Sequence, residues 1–365
     1  MKYKCDSCDA EWDYPVRNCI FCGSPLSKIN NTEYQVEGAT RVLIPSADHP
    51  ITPYYVLLLK DLNGSHKFQK SFRPYNIGDA IYLNSNEESK YTIGVIGTGV
   101  TGRGLVELAI STGNNIILKS RSEDSLERAL NAISKNLSKE MEPNRMQIAL
   151  NRITTTTKYE QLATSDLIIE SVVEDFQIKK AIFKKLDSIC EPTTILASNT
   201  STLPISKLSN GLKHPERVIG MHFFNPIPRM LLVELIRGKN TGDATLNRAT
   251  EFAEALNKIP VNVVDIAGFI VNRLLFLMIN EACCMLDSGI TSIEDIDKAM
   301  KLGANHPMGP FELADFIGVD ICLSILEILY NELKNPSYKP SRILHIMVND
   351  GILGRKTGKG FYKYG

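Results

Sequence analysis

The sequence has no excess of charge of either sign: lysine plus arginine and aspartate plus glutamate balance at 41 each. That balance argues against a nucleic-acid surface or an acidic-substrate channel as the main business of the chain. A long uninterrupted apolar run is also missing. The most apolar stretch, GFIVNRLLFLMIN, is broken by Asn272 and Arg273 and is too short and too polar to cross a bilayer. The opening MKYKCDSCDA lacks the apolar core of a signal peptide. These absences predict a cytoplasmic protein with neither a membrane nor a nucleic acid as partner. There is no internal repeat and no low-complexity tract. Cysteine is sparse after residue 22. Cys190, Cys283, Cys284 and Cys322 lie in apolar segments and read as buried thiols, and a reducing cytosol disfavours disulfides. One further absence is local: IILKSRSEDS (116–125) carries Ser120 and Arg121 at the end of an apolar run, where a carboxylate would have had a specific meaning.

At 365 residues, with 43% hydrophobic and 22% charged, the chain has room for two or three domains with real cores. Residues 1–33 and 34–89 have short alternating stretches, 90–265 alternate between strand and helix patterns, and 266–365 read as mostly helical. Thr92, Ile93, Val95 and Ile96 make a short buried strand, and IILKS makes a second. SEDSLERALNAISKNL spaces Leu126, Ala129, Leu130, Ile133 and Leu137 at a helical period. SDLIIESVV, TTILASNTS, RVIGMHFF and LLVELIRG are further strands, with the helix QIKKAIFKKLDSIC among them. This alternation predicts a doubly wound α/β sheet. The long apolar helix GFIVNRLLFLMINEACCMLDSG ends at Gly289, and TSIEDIDKAMKLG is capped by Ser292, with Asp295 three residues on, and stops at Gly303. The apolar faces of this all-α domain exceed the needs of one small bundle. They serve a subunit interface, hence a homodimer, or pack on the α/β domain.

Gly97-Thr98-Gly99-Val100-Thr101-Gly102 follows the first strand and opens a helix, the context in which G-x-G-x-x-G marks a Rossmann dinucleotide site. Gly97 permits the tight turn, Gly99 lets a pyrophosphate approach the backbone, and Gly102 lets helix and strand pack. The helix N-terminus supplies free N–H groups. About twenty residues on, an NAD site places a carboxylate on the adenosine ribose. Ser120 removes that charge and offers a hydroxyl, while Arg121 offers a cationic fork suited to phosphate. The site therefore reads as retuned toward NADP. The alternative is that Arg121 points to solvent and NAD binds through other contacts. Arg103 and Lys119 read as ordinary surface charges, with an added positive field at the site as the lesser alternative.

Alcohol–ketone hydride transfer needs a base for the hydroxyl proton and polar groups around the oxygen. His222 ends a strand, where α/β sites collect, and Glu234, twelve residues on, can orient the imidazole. Alone, such a histidine is more often structural. From about residue 91 to the end, however, the chain resembles the short-chain (3S)-3-hydroxyacyl-CoA dehydrogenases, in particular the bacterial 3-hydroxybutyryl-CoA dehydrogenases. The resemblance lies in ASNTSTLPI, MHFFNP, GFIVNR, AMKLGANHPMGPFEL and LGRKTGKGFYKY. It implies that His222 is the general base in oxidation and the acid in reduction, oriented by Glu234. It implies that Ser201 and Asn272 bond the substrate's 3-oxygen and thioester, and that Asn199, Glu174 and Lys179 lie near the nicotinamide and its ribose. Structural roles compete: turn caps for Asn199 and Ser201, a helix cap for Asn272, a solvated pair for Glu174 and Lys179. The chain departs from the family at Ser120, at Thr101, at Arg229 and Leu231, and in a shorter stretch, KEMEPNRMQIALNRI, where the family covers CoA. An acyl-CoA substrate is implied, with an acyl-carrier-protein substrate as the alternative.

Ahead of this region, Cys5-x2-Cys8 and Cys19-x2-Cys22 give four thiolates for a tetrahedral structural zinc, with rubredoxin-like iron as the lesser alternative. Four thiolates leave no open position for catalysis. ATRVLI, YYVLLLKDL, HKFQKSF and DAIYLN read as short strands of a small β-barrel, with Asn63-Gly64 as a hairpin signal. YPVRNCIFCGS and PYYVLLLKDLNG resemble the zinc-ribbon plus OB-fold proteins that accompany thiolases. That likeness implies a tethering role with a thiolase-type partner. A pure scaffold protein, with the dehydrogenase part as a docking body, is the rival from another class.

Overall fold

The computed structural model describes residues 2–5, 11–12, 26–29, 31–42, 54–62, 64–71, 76–84 and 91–364. The chain divides into two compact units, Met1–Ser89 and Lys90–Gly365.

In the first unit, β1 (Lys2–Cys5), β2 (Glu11–Trp12) and β3 (Leu26–Ile29) form an antiparallel sheet in the order β2-β1-β3. A second antiparallel sheet holds β4 (Asn31–Val42), β5 (Tyr54–Asp61), β6 (His66–Ser71) and β7 (Ala80–Asn84) in the order β6-β5-β4-β7. β4 starts at Asn31, opposite Asn84, so this sheet begins ahead of the expected boundary at residue 34. Tyr34, Val36, Leu57 and Leu59 bury together as a small core. The β5–β6 turn places Gly64 at φ +80°, where its N–H donates to the Asp61 carbonyl at 3.0 Å. That is the left-handed conformation the hairpin signal calls for; Asn63 lies outside the described residues. Of the four cysteines expected to hold zinc, Cys5 ends β1, while Cys8, Cys19 and Cys22 lie outside the described residues.

The second unit is built on eight strands: β8 (Thr92–Ile96), β9 (Asn115–Lys119), β10 (Ile153–Thr156), β11 (Leu167–Glu170), β12 (Ile195–Ser198), β13 (Val218–Phe223), β14 (Leu232–Arg237) and β15 (Ile259–Val264). Their order is β10-β9-β8-β11-β12-β13-β14-β15, and every neighbouring pair is parallel except β13 and β14. The helices α1 (Val100–Ser111), α2 (Glu123–Leu137), α3 (Pro143–Leu150), α4 (Phe176–Ile189), α5 (Ile205–Ser209) and α6 (Asp243–Ala255) connect them. Ile93 and Val95 pack into one core with Leu105 and Phe252, while Ile96 packs into another with Phe183 and Leu196. The period of two along one strand thus feeds both faces of the sheet, which explains its near-continuous apolar run. Burying a side chain such as Phe183 completely stabilises the fold by about 2–3 kcal/mol.

The remaining helices are α7 (Val271–Asp287), α8 (Ile293–Gly303), α9 (Pro310–Ile317), α10 (Val319–Leu333) and α11 (Arg342–Asn349). They bury Phe276, Ile279, Phe311, Leu326 and Leu344 in a core of their own. Gly289, at φ +67°, follows α7, and the Ser292 hydroxyl accepts the Asp295 N–H at 3.1 Å at the start of α8. The C-terminal GFYKY is pinned by the buried Asp315, which accepts the N–H groups of Phe361 and Tyr362 at 2.9 Å each. No helix among the described residues is long and apolar enough to cross a membrane.

Candidate active site

The glycine turn opens a cleft of about 780 Å3 at the C-terminal ends of the parallel strands. A Cβ on Gly97, whose φ is +118°, would lie 2.3 Å from the Ser171 carbonyl oxygen, and one on Gly102 would lie 2.0 Å from the Gly97 oxygen. Both positions need glycine for the protein's own sake. Gly99 does not, because a Cβ there meets nothing within 4 Å. It is the N-cap of α1 and makes no side-chain cap, so Gly99, Val100 and Thr101 present backbone at a helix start that lines the cleft. A helix N-terminus left open in this way suits a pyrophosphate.

At the far end of the cleft, Ser120 is 9% exposed and its Oγ lies 3.4 Å from Thr98 Oγ1. Arg121 is exposed at the rim. Two neighbours differ from the sequence reading. Arg103 is not a free surface charge, since it donates to the Thr98 carbonyl at 3.1 Å and braces the glycine turn. Lys119 is buried, with its Nζ 3.8 Å from the centre of the Tyr159 ring.

The structure brings His222, Glu234 and Ser201 together. His222 in β13 and Glu234 in β14 are direct partners across the antiparallel pair. His222 Nδ1 lies 2.7 Å from Glu234 Oε2, and His222 Nε2 lies 3.1 Å from Ser201 Oγ. A carboxylate only accepts, so it fixes the proton on Nδ1 and leaves Nε2 as the acceptor. Glu234 is 1% exposed, and its other oxygen accepts the N–H groups of Ile270 and Val271 at 3.0 Å each. Those donors open α7, so one carboxylate ties the imidazole to the helical domain. Asn272 is the next residue of α7, and its side chain makes no hydrogen bond to the described residues.

Asn199 and Ser201 line the cofactor cleft, and Asn199 Oδ1 accepts the Phe223 N–H at 2.8 Å, next to His222. Glu174 and Lys179 are an ion pair at 3.1 Å, with Lys179 1% exposed and Glu174 exposed. Burial alone would raise the Glu174 carboxyl, but the Lys179 ammonium and the Thr200 and Thr202 hydroxyls outweigh it and hold it below its ordinary value. The same carboxylate accepts the Ser201 N–H at 3.0 Å and the Thr202 N–H at 3.2 Å, as well as the Thr200 hydroxyl. Glu174 therefore clamps the turn that carries Ser201.

Two family models match the chain. One is described as "3-hydroxyacyl-CoA dehydrogenase, NAD binding domain", over residues 92–266. The other is the C-terminal domain of the same enzymes, over residues 268–364. The 3-hydroxybutyryl-CoA dehydrogenase of Clostridioides difficile is 46% identical over 277 residues, covering 74% of this chain and 99% of that one. The chain belongs to the 3-hydroxyacyl-CoA dehydrogenase family. The pig mitochondrial hydroxyacyl-coenzyme A dehydrogenase is 39% identical over 282 residues, 74% of this chain and 90% of its own. The crystal structure of the (S)-3-hydroxybutyryl-CoA dehydrogenase from Ralstonia eutropha superimposes with a TM-score of 0.73 at 40% identity, over 75% of this chain and 99% of that one.

In this 3-hydroxyacyl-CoA dehydrogenase relative, two buried charges support the site without having been singled out from sequence. Glu170, at the end of β11, is fully buried; it accepts Lys179 Nζ at 2.8 Å, the Val172 N–H at 2.7 Å and the Ser198 hydroxyl at 2.7 Å. A charged residue closing an apolar strand at the cofactor end was the available signal. Lys258 is 3% exposed and donates to the carbonyls of Ile227 and Met230 at 2.6 and 2.7 Å. It fastens the loop that follows His222, and burial pushes its ammonium down to about 8. No sequence motif marks it.

Proposed function

We propose that this chain catalyses reversible hydride transfer between a nicotinamide dinucleotide and C3 of a short-chain 3-hydroxyacyl-CoA, 3-hydroxybutyryl-CoA in type, and that NADPH-driven reduction of the 3-ketoacyl thioester is its working direction. The observation that carries this reading is the His222–Glu234 dyad, with Ser201 at the imidazole and at the edge of the dinucleotide cleft. When bound, the nicotinamide exchanges a hydride with C3. In the oxidative direction the C3–H bond breaks, the hydroxyl proton passes to His222 Nε2 and the C3–O bond becomes a carbonyl. In reduction His222 returns that proton to the oxygen. Glu234 balances the imidazolium, and Ser201 and Asn272 donate to the oxygen or the thioester. Gly97, Gly99, Val100, Thr101 and Gly102 cradle the pyrophosphate. Asn199, Glu174 and Lys179 set the wall toward the nicotinamide.

Ser120 and Arg121 favour NADP because no carboxylate is there to repel a 2′-phosphate. Initial rates of acetoacetyl-CoA reduction with NADPH and with NADH test both parts. An NADPH advantage, reversed by Ser120→Asp with Arg121→Ala, supports the reading. An NADH advantage removes the NADP part alone, and no rate with either removes the CoA substrate. Exposed Ile270 and Leu274 on the helical domain support a homodimer, to be checked by sedimentation. For the first unit, we propose one structural zinc on Cys5, Cys8, Cys19 and Cys22, an OB-like barrel and a thiolase-type partner, in the cytoplasm. Four thiolates at this spacing are a complete tetrahedral donor set. One zinc per chain, lost on Cys→Ser substitution, and copurification of an acyl-thioester enzyme are the expected results.

A further inference from the structure

Lys119 ends β9, one residue before Ser120, yet it is only 4% exposed. Its Nζ sits 3.8 Å over the Tyr159 ring, and no carboxylate or other hydrogen-bond acceptor among the described residues pairs with it. The ring face satisfies part of the charge, and the ammonium faces the cleft that Lys119 lines. Burial first, and then repulsion from Arg121, hold this ammonium below its ordinary value. A buried cation without a counter-charge is costly unless an anion joins it.

The surroundings have the composition an anion needs. Lys119, Ser120, Arg121 and Ser125 line the same end of the cleft, and among the described residues no aspartate or glutamate lines it anywhere. Ser125 lies in the first turn of the fifteen-residue helix α2, and its hydroxyl accepts from Arg128 at 3.2 Å. The acids next to it in sequence, Glu123 and Asp124, are exposed. The remaining lining cation, Lys185, is already paired with Glu160 at 2.7 Å. Ser120 is at the position that meets the adenosine ribose in this fold, so an anion reaching Lys119 is a substituent on that ribose.

We propose that Lys119 is the buried anchor of a phosphate-monoester subsite that takes the 2′-phosphate of the dinucleotide's adenosine ribose, with Arg121 at the rim and the Ser120 and Ser125 hydroxyls beside it. This rests on the NADP reading above and goes beyond it. That reading needs only an exposed arginine, which contributes little by itself, whereas Lys119 supplies a charge whose stem is buried and whose position is fixed over Tyr159. The same chemistry would fit the 3′-phosphate of coenzyme A, so the test separates the two sources.

The experiment is calorimetric titration of the full chain with NADP+, NAD+, 2′,5′-ADP and 3′,5′-ADP, repeated on Lys119→Met and Arg121→Ala. Wild type is expected to hold 2′,5′-ADP at least about tenfold more tightly than 3′,5′-ADP. Lys119→Met is expected to cut the NADP+ to NAD+ affinity ratio by about tenfold to a hundredfold, and Arg121→Ala by about threefold. Lys119→Gln, which keeps a polar tip, replaces the methionine variant if that one does not fold. Equal binding of NADP+ and NAD+ by wild type overturns the NADP reading and this proposal with it. A wild-type preference that survives loss of Lys119 and vanishes with Arg121→Ala overturns the proposal alone and leaves Lys119 a structural cation on Tyr159. Equal or tighter binding of 3′,5′-ADP assigns the subsite to coenzyme A and also overturns it.

Discussion

Replacing Glu234 by glutamine tests the dyad with almost no change of shape. The side chain is 1% exposed and meets three donors: His222 Nδ1 at 2.7 Å and the Ile270 and Val271 N–H groups at 3.0 Å each. A glutamine has one oxygen. Two backbone donors that open α7 claim it, which turns the amide NH2 toward Nδ1. Two donors cannot face each other, so the imidazole proton moves to Nε2, the atom that must accept it from the substrate hydroxyl. The imidazolium that forms in oxidation also loses its counter-charge. General acid–base assistance is worth about 10^2 to 10^4 in rate, or ~3–5 kcal/mol of barrier. We therefore expect kcat to fall by about 10^3 in both directions, while exchanging charge-assisted for neutral hydrogen bonds costs about 1–2 kcal/mol of stability. The assay is steady-state kcat for acetoacetyl-CoA reduction and 3-hydroxybutyryl-CoA oxidation, with urea unfolding on the same preparations. A folded variant with kcat within about fivefold of wild type would refute the tautomer argument.

Lys258→Met leaves two loop carbonyls without donors, and a loss of about 2–4 kcal/mol in urea unfolding is expected, with a rise in KM for acyl-CoA. The contribution of Lys258 depends on pH in a definite sense. Its folded value of about 8 lies below an unfolded value of about 10.4, so the folded state sheds the proton first. Stability relative to the methionine variant should therefore rise between those limits; a fall from pH 8 to 10 would contradict it. Gly99→Ala and Gly102→Ala should part company. The former meets open space and should cost under about 1 kcal/mol while weakening dinucleotide binding at least about tenfold. The latter collides with the Gly97 carbonyl and should cost more than about 2 kcal/mol in unfolding. Glu174→Ala frees the turn carrying Ser201, and kcat/KM should drop by about tenfold or more in steady-state assays.

The elements legible in the sequence are those whose burial is two-sided or strongly periodic. β8, β9, β11, β12 and β13 read as apolar runs because both their faces are covered, and α2 and α4 read from their stripes. β10 and β15 escaped because they are the two edges of the sheet: ITTT is half exposed, and IPVNVV carries Pro260, which an edge tolerates and a central strand does not. The reversed direction of β14 has no signature in composition. Among site residues, glycines and histidine announce themselves by type, whereas Glu170, Lys119 and Lys258 look like surface charges until the fold removes the water around them. Lys119 is the clearest example: strand alternation fixes which side it leaves, but only the position of Tyr159, forty residues away, decides that its ammonium sits over a ring.

Because His222 and Glu234 face each other across β13 and β14, their encounter is stored in strand register rather than in the connection between the strands. Residues 224–231 join the two strands without setting which side chains align. A slip of one residue would send either partner through to the opposite face of the sheet, so the dyad tolerates no change of parity. The connection itself is under no such arithmetic. It is held instead by Lys258, which bonds the Ile227 and Met230 carbonyls, and by the buried Ile227 side chain, so a change there acts on stability rather than on which side chains of the two strands align.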